Sequence, residues 1–160
     1  MARGRRNRRV SEFVFMSIKP VFGEEILDGV KKFELRSKVG TLLPGDKVIL
    51  YESYPVKSVV GMFSVGRTFV VDFPVLLELF RSGVLEGVTE RDIEFMSSRK
   101  RPILVIEVVD PIRLPQPITL SELRALVPGF RPPMSFSRLP IDSPIVREVL
   151  RRLRRSSKRS

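Results

Sequence analysis

Hydrophobic and polar positions change period several times along the chain, and each change predicts an element. Phe13 to Ile18 reads as a strand, with Phe13, Phe15 and Ser17 on one face. Pro20 suits the first turn of a short helix whose Phe22, Ile26 and Leu27 lie about a turn apart, and Gly29 is placed to end it. Phe33 and Leu35 then alternate with Lys32, Glu34 and Arg36, the period of a short strand. Pro44-Gly45-Asp46 makes a turn, and Lys47 to Glu52 follows as a buried-looking strand. Lys57 to Val65 and Thr68 to Val71 read as further strands, broken near Gly66.

Helical spacing returns at Phe73 to Arg81 and at Thr89 to Ser97, where Thr89 stands three residues before Asp92 in a loose capping-box pattern. Pro102 to Val109 is the most apolar strand, with Glu107 as its one charge. Ser121 is a candidate cap for a short helix ended by Pro128-Gly129, and the proline-rich stretch from Pro128 to Pro140 reads as an ordered loop. At the C-terminal end Ser143 can cap and Pro144 suits the first helical position. Ile145, Val146, Val149, Leu150 and Leu153 then share one side of a helix, opposite the arginines. The apolar stripe is expected to dock on the domain and leave every arginine to solvent or ligand.

These elements make an α+β chain of 160 residues, which suits one domain flanked by two arms. Residues 1–10 form a basic N-terminal arm, 11–140 the domain, and 141–160 a basic helix and tail. Charge sharpens that division. Arg3, Arg5, Arg6, Arg8 and Arg9 at one end, and the run from Arg147 onward at the other, carry the whole net charge of +11. Residues 10–146 are neutral. Arginine-dominated arms suit a polyanion, because each neutralised phosphate releases counterions and the planar guanidinium forks phosphate and stacks on bases. Solubilising tails, or an anionic membrane surface, are the competing readings.

Composition removes much chemistry. The chain has no cysteine and no histidine, so disulfides, thiolate or imidazole metal sites, cysteine nucleophiles and serine–histidine triads are unavailable. No metal or cofactor is expected. There is no apolar run of about eighteen residues to span a membrane, nor a signal-peptide pattern at the arginine-rich start. A cytoplasmic location is therefore expected, and the Cys- and His-free, Arg- and Pro-rich composition would suit a thermophile.

Candidate chemistry gathers in the segment after the first helix. Ser17-Ile18-Lys19-Pro20, followed by Gly29, Lys31, Glu34 and Arg36, resembles the opening of an ASCH domain, whose mark is Gly-x-Lys-x-x-Glu-x-Arg. Gly45-Asp46 leading into Val48 to Ser53, then Pro55 to Gly61, resemble its following strands. Pro117 to Arg124 and Pro133 to Phe136 resemble the late segment of single-domain archaeal and bacterial members. The resemblance implies a mixed β-barrel of the PUA-like superfamily, flanked by helices, that binds RNA in a cleft beside the first helix and the motif strand. In the members that act as amidohydrolases on acetylated cytidine, a lysine and a threonine of the motif segment do the chemistry with a glutamate from elsewhere. Lys31 matches that lysine, but Glu34 stands where the threonine would be, which removes the proposed nucleophile.

Read from the residues alone, strand alternation puts Glu34 and Arg36 on one face, and Lys31 belongs with them only if it lies in the turn before the strand. Such a set can hold a phosphate or a base edge; an ordinary solvated ion pair is the plainer alternative. Lys31 and Arg36 are expected to project into an open cleft. Lys19 can reach the same cleft, with Ser53, Ser135 and Phe136 as further lining, and Tyr51 and Tyr54 can stack on a flipped base. Arg99-Lys100-Arg101 can extend a phosphate track. Glu107, in an apolar strand, is either a pKa-shifted acid or, more simply, an outward-facing residue. The leading expectation is an RNA-binding module in which Arg5, Arg6, Arg151 and Arg155 hold flanking phosphates. DNA ranks behind it because no helix-turn-helix is present, and a membrane ranks lower still. The alternative is a small metal-independent hydrolase or nuclease using Lys31, Glu34 and Glu107.

Overall fold

β1 (Glu12–Ile18) and β3 (Lys47–Glu52) lie side by side and parallel, so the chain between them must cross over. That crossover holds α1 (Pro20–Leu27) and β2 (Phe33–Ser37). β3 pairs antiparallel with the long β4 (Ser58–Val71), and β4 pairs with the longer β5 (Ile103–Thr119), which carries β2 on its other side. β6 (Phe136–Pro140) adds to the free side of β1, and the strand order is β2-β5-β4-β3-β1-β6. The computed structural model describes residues 12–159, with side chains as far as Arg155. Among the described residues no helix is long and apolar enough to cross a membrane.

The sheet curls, and three apolar clusters follow from the curl. Val14, Met16, Ile18, Val48, Leu50, Phe63, Leu104 and Ile106 fill its concave side, where Phe22 and Ile26 of α1 plug them. α2 (Phe73–Ser82) and α3 (Glu90–Ser97) cover Phe33, Leu35, Ile103 and Val105 on the convex side. α4 (Leu120–Leu126) and α5 (Pro144–Arg159) cover Phe13, Phe15, Ile49 and Met62 farther along it. Because both faces are covered, β1 is buried at Val14 and Met16 as well as at Phe13 and Phe15.

The expected barrel does not close by backbone. Among the described residues no ladder joins β2 to β6, and side chains span the seam instead. Arg36 of β2 donates to the Ser17 and Ser135 carbonyls. Farther along, Arg138 of β6 reaches Asp46 Oδ2 at 3.0 Å and the Thr41 carbonyl at 3.1 Å. A Cβ on Gly40 would lie 2.9 Å from the Phe136 ring, so the ring closes down on bare backbone there.

Four sequence expectations change. β4 is continuous where two strands were expected. Its register shifts between Val65 and Thr68, and the bulge absorbs Gly66 and Arg67 without ending the ladder. β5 runs ten residues beyond Val109, through Pro111, Pro115 and Pro117. Its pairing with β2 stops at Glu107, so among the described residues the later prolines sit on a strand with β4 as its one ladder partner, where a missing donor is tolerated. Thr119, not Ser121, caps α4, accepting from the Glu122 N–H at 3.1 Å. The segment Phe136–Pro140, expected as loop, is strand β6, recruited by the open edge of β1 rather than by any pattern of its own.

α5 follows expectation on its apolar side. Ile145, Val146 and Val149 are fully buried, and Ser143 Oγ accepts from the Ile145 N–H at 3.3 Å. Arg152 departs from it. This residue donates to the Pro117 carbonyl at 2.8 Å and pairs with Glu122 and Glu148, fastening α5 to α4 and β5. Ile145→Ala should therefore cost about 2–5 kcal/mol of unfolding free energy in urea titrations. An unchanged midpoint would mean the helix is not docked.

Candidate functional site

The open stretch of the seam is a pocket of about 540 Å³, within the range of small-ligand sites. Ser17, Ile18 and Lys19 come from the end of β1 and the start of α1, and Glu34, Arg36 and Ser37 from β2. Tyr51, Ser53, Tyr54 and Lys57 come from the end of β3 and the turn after it. Asp92, Phe95 and Arg99 come from α3 and its C-terminal end, and Met134 and Ser135 from the approach to β6. One pocket thus gathers residues spread over more than a hundred positions, because the sheet's two edges meet there.

Its wall is held by a buried charge network. Lys31 lies in the turn between α1 and β2, where Gly29 takes φ +78°, a left-handed value that favours glycine. The Lys31 side chain has no exposure. It pairs with Asp92 and stands 3.8 Å from Glu34, with its ammonium 5.1 Å from the centre of the Phe22 ring. Asp92 works twice, since its Oδ2 also accepts from the Thr89 N–H at 2.9 Å and caps α3. The Glu34 carboxylate takes Arg36 Nε at 2.9 Å, and Arg36 spends further donors on Ser17 and Ser135. Phe33 and Leu35 face the opposite way, into the cluster under α2 and α3, as alternation requires.

This arrangement corrects the expectation that Lys31 and Arg36 project freely into an open cleft. Lys31 sits behind the pocket wall and is no part of its lining; Arg36 lines the pocket, but only 11% of its side chain is exposed and most of its donors are taken. Lys19, Glu34, Tyr51, Ser53 and Ser135 line the pocket, whereas Gly29 does not. Phe136 packs on the concave core. Glu107 lies on another surface, where hydrogen bonds from the Arg67 side chain and backbone hold its carboxyl below the ordinary value. It is an outward-facing residue, not a buried acid. Arg151 pairs with Glu148 and Arg155 is exposed, both on α5. Arg5 and Arg6 lie outside the described residues.

Phe95 and Lys57 line the pocket although the sequence did not single them out. Phe95 of α3 carries two cations on its ring, Lys19 at 4.9 Å and Arg99 at 4.7 Å. Lys57 sits 5.5 Å from the centre of the Tyr54 ring. These three cations border the mouth, while Tyr51 is 4% exposed and turns toward the interior. Burial raises the Tyr51 phenol above its ordinary value, against the pull of Arg124.

A second unforeseen group lies behind α1. Glu52 is almost fully buried, and a Cβ on Gly23 would come within 2.9 Å of its Cγ, so this glycine makes room for the carboxyl. Burial, then the hydrogen bond and charge of Glu24, push Glu52 up to about 8, so it is protonated at neutral pH. Glu24 moves the opposite way, lowered by that same hydrogen bond and by Arg113, which also holds Asp28 at 2.8 Å.

Comparison with known proteins agrees with this architecture. The sequence model of the ASCH domain matches residues 16–114. A protein of Zymomonas mobilis subsp. mobilis, named an ASCH domain-containing ribonuclease, is 28% identical over 123 residues, 76% of this chain and 80% of that one. The crystal structure of ASCH from Zymomonas mobilis has a TM-score of 0.70 at 23% identity, covering 88% of this chain and 92% of that chain. A tyrosine-to-phenylalanine mutant of that protein gives 0.74 at 22% identity over 89% and 98% of the two chains. A serine-to-alanine mutant gives 0.73 at 22% identity over 86% and 94%. The likeness of these structures is one of fold.

Two outcomes follow from the buried groups. Lys31→Ala should destabilise the chain by about 3–5 kcal/mol, because it leaves Asp92 buried without its cation and takes one of two cations from Glu34. Lys31→Met with Asp92→Asn should recover part of that loss in urea titrations, whereas a small effect of Lys31→Ala alone would deny the network its role. Glu52 sets a pH dependence. Its proton is held from the ordinary value of 4.5 to about 8 in the folded state, so its stabilising contribution is full below 4.5 and lost as pH rises through 8. Glu52→Gln should flatten stability over that window, read from melting temperatures across pH; parallel profiles for the two proteins would refute the assignment.

Proposed function

The chain belongs to the ASCH domain family, and from that premise we propose that the seam pocket binds an unpaired nucleotide of RNA. The observation that carries this reading is the mouth itself. Lys19, Lys57 and Arg99 border one concave site, each cation held against an aromatic ring. Cations at one mouth suit the phosphates on either side of a nucleotide, and the Phe95 ring suits its base. Inside, Glu34 supplies an acceptor for a base amine and Tyr51 and Ser53 supply hydroxyls. Arg36 serves mainly to fix Glu34 and the seam. Arg5, Arg6, Arg151 and Arg155 on the two basic ends add salt-sensitive affinity for phosphates beyond the pocket.

A second reading, RNA cleavage, is favoured by one observation: the relative from Zymomonas mobilis is named a ribonuclease. A reaction suited to these residues needs no protein nucleophile. The ribose 2′-oxygen attacks the adjacent phosphorus as its proton passes to Glu34. The bond to the 5′-oxygen breaks, and that oxygen takes a proton from Tyr51 or water. Lys31 and Glu107 drop out of this scheme, because one is buried behind the wall and the other lies on another surface. The solved serine and tyrosine mutants of the Zymomonas protein make the hydroxyls of Tyr51, Ser17, Ser53 and Ser135 the first to replace here.

Anisotropy titration with a labelled single-stranded RNA tests binding. Affinity should fall as salt rises, with a log–log slope of about 0.7 per phosphate held. Lys19→Ala and Arg99→Ala should each weaken binding and reduce the slope by roughly that amount. Binding insensitive to both variants would remove the pocket from the account. RNA left intact by the wild type would reject cleavage, and cyclic-phosphate products lost in Glu34→Gln would establish it.

A further inference from the structure

Tyr54 and Met134 are two large side chains left uncovered at one place. Tyr54 is 77% exposed and Met134 fully exposed, and both border the mouth of the seam pocket. Single exposed apolar residues are ordinary on a protein surface, but a pair at the rim of one pocket marks a contact surface. The two reach the rim from unrelated segments: the turn between β3 and β4, and the loop between α4 and β6.

The mount of Tyr54 is firm although its ring is bare. The Val56 and Lys57 N–H groups donate to the Ser53 carbonyl at 3.1 and 3.3 Å, and Ser58 Oγ donates to the Val56 carbonyl at 3.1 Å. The Leu120 N–H donates to the Lys57 carbonyl at 2.9 Å, tying the turn to the start of α4. A ring held on such a turn gives up little conformational freedom when something stacks on it. Lys57 lies over the ring, and the high exposure of Tyr54 leaves ring surface for a flat apolar group. Met134 adds an adaptable, polarisable contact.

Charge identifies the occupant. Lys19, Lys57 and Arg99 border the same mouth as this apolar pair. Flat apolar groups alternating with negative charge are what single-stranded nucleic acid presents. Resting on the reading of the pocket as an RNA site, we infer that Tyr54 and Met134 form a second base subsite, outside the pocket, for the nucleotide next to the one inside. The ligand is then single-stranded RNA of at least two nucleotides, and a free nucleoside is a poor one. A paired strand is excluded, since its bases are already stacked within a duplex.

The test separates base from phosphate. Wild type and Tyr54→Ala are each titrated with RNA dinucleotides and with the same dinucleotides made abasic at one position, 5′ or 3′. Because Tyr54 is exposed, its removal should leave the melting temperature unchanged. The wild type should bind the intact dinucleotide about tenfold more tightly than one of the two abasic forms. Tyr54→Ala should lose that preference while binding that abasic form as well as the wild type does, and Tyr54→Phe should retain it. If the wild type tells the intact dinucleotide from only one abasic form and Tyr54→Ala keeps that preference, or if Tyr54→Ala loses affinity equally for all three, the second subsite is overturned and the pocket reading stands. Equal affinity of the wild type for all three would overturn both. No binding of any dinucleotide or longer single strand by the wild type would overturn both.

Discussion

The buried ion group of Lys31, Asp92 and Glu34 is the constraint on which the rest of the structure depends. A lysine with no exposure must be paired, because an isolated ammonium out of water costs several kcal/mol. Its partners come from β2 and α3, so satisfying one charge fixes three segments at once. The turn after α1 is held to both elements, α3 is capped by the same aspartate, and Glu34 is presented to Arg36 at the seam. Such a group adds little net stability over a well-packed apolar core of equal volume. Its value here is positional. It sets where the wall of the pocket stands, and it leaves the anionic face of that wall already neutralised from behind.

The pocket is a consequence of incomplete closure. A six-stranded sheet curled this far leaves β2 facing β1 and β6 without a ladder. The gap is bridged by long arginine side chains, which can span it where backbone hydrogen bonds cannot. Arg138 and Phe136 shut the lower part, and Arg36 crosses the upper part, which stays open as the pocket. A fully closed barrel would have used the same edge groups in hydrogen bonds and left no concave site. The aromatic–cation pairs at the mouth follow from the same geometry, since α3 and the β3–β4 turn flank the gap.

The cationic residues divide by role in a way that net charge conceals. Arg36, Arg138 and Arg152 are structural, each joining two parts of the fold through carbonyl and carboxylate acceptors. Lys19, Lys57 and Arg99 rest on aromatic rings at the pocket mouth with their charge toward solvent. The arginines expected as a uniform outer face of α5 therefore include one that acts as a clamp, and the neutral domain contributes its own cations to the proposed RNA surface.

What the sequence determined by itself was local. The strand from Lys47, the start of α1 at Pro20, the cap of α3 and the apolar stripe of α5 were all legible, because period, caps and prolines act over a few residues. The motif strand was legible too, and alternation correctly separated Glu34 and Arg36 from Phe33 and Leu35. Tertiary structure decided the rest. Nothing near Lys31 announces that its partner is Asp92, sixty-one positions away, and this one pairing turns an expected ligand contact into a buried support. β6 and the far half of β5 carry no strand pattern; they are strands because β1 and β4 offer them unpaired edges. The protonated state of Glu52 depends on burial beside Gly23 and Glu24, which spacing along the chain does not disclose. Local periodicity reports which face of an element is apolar. Which charges meet across the curl, and so what the pocket can hold, is set only when the faces are packed and every buried polar group has to find a partner.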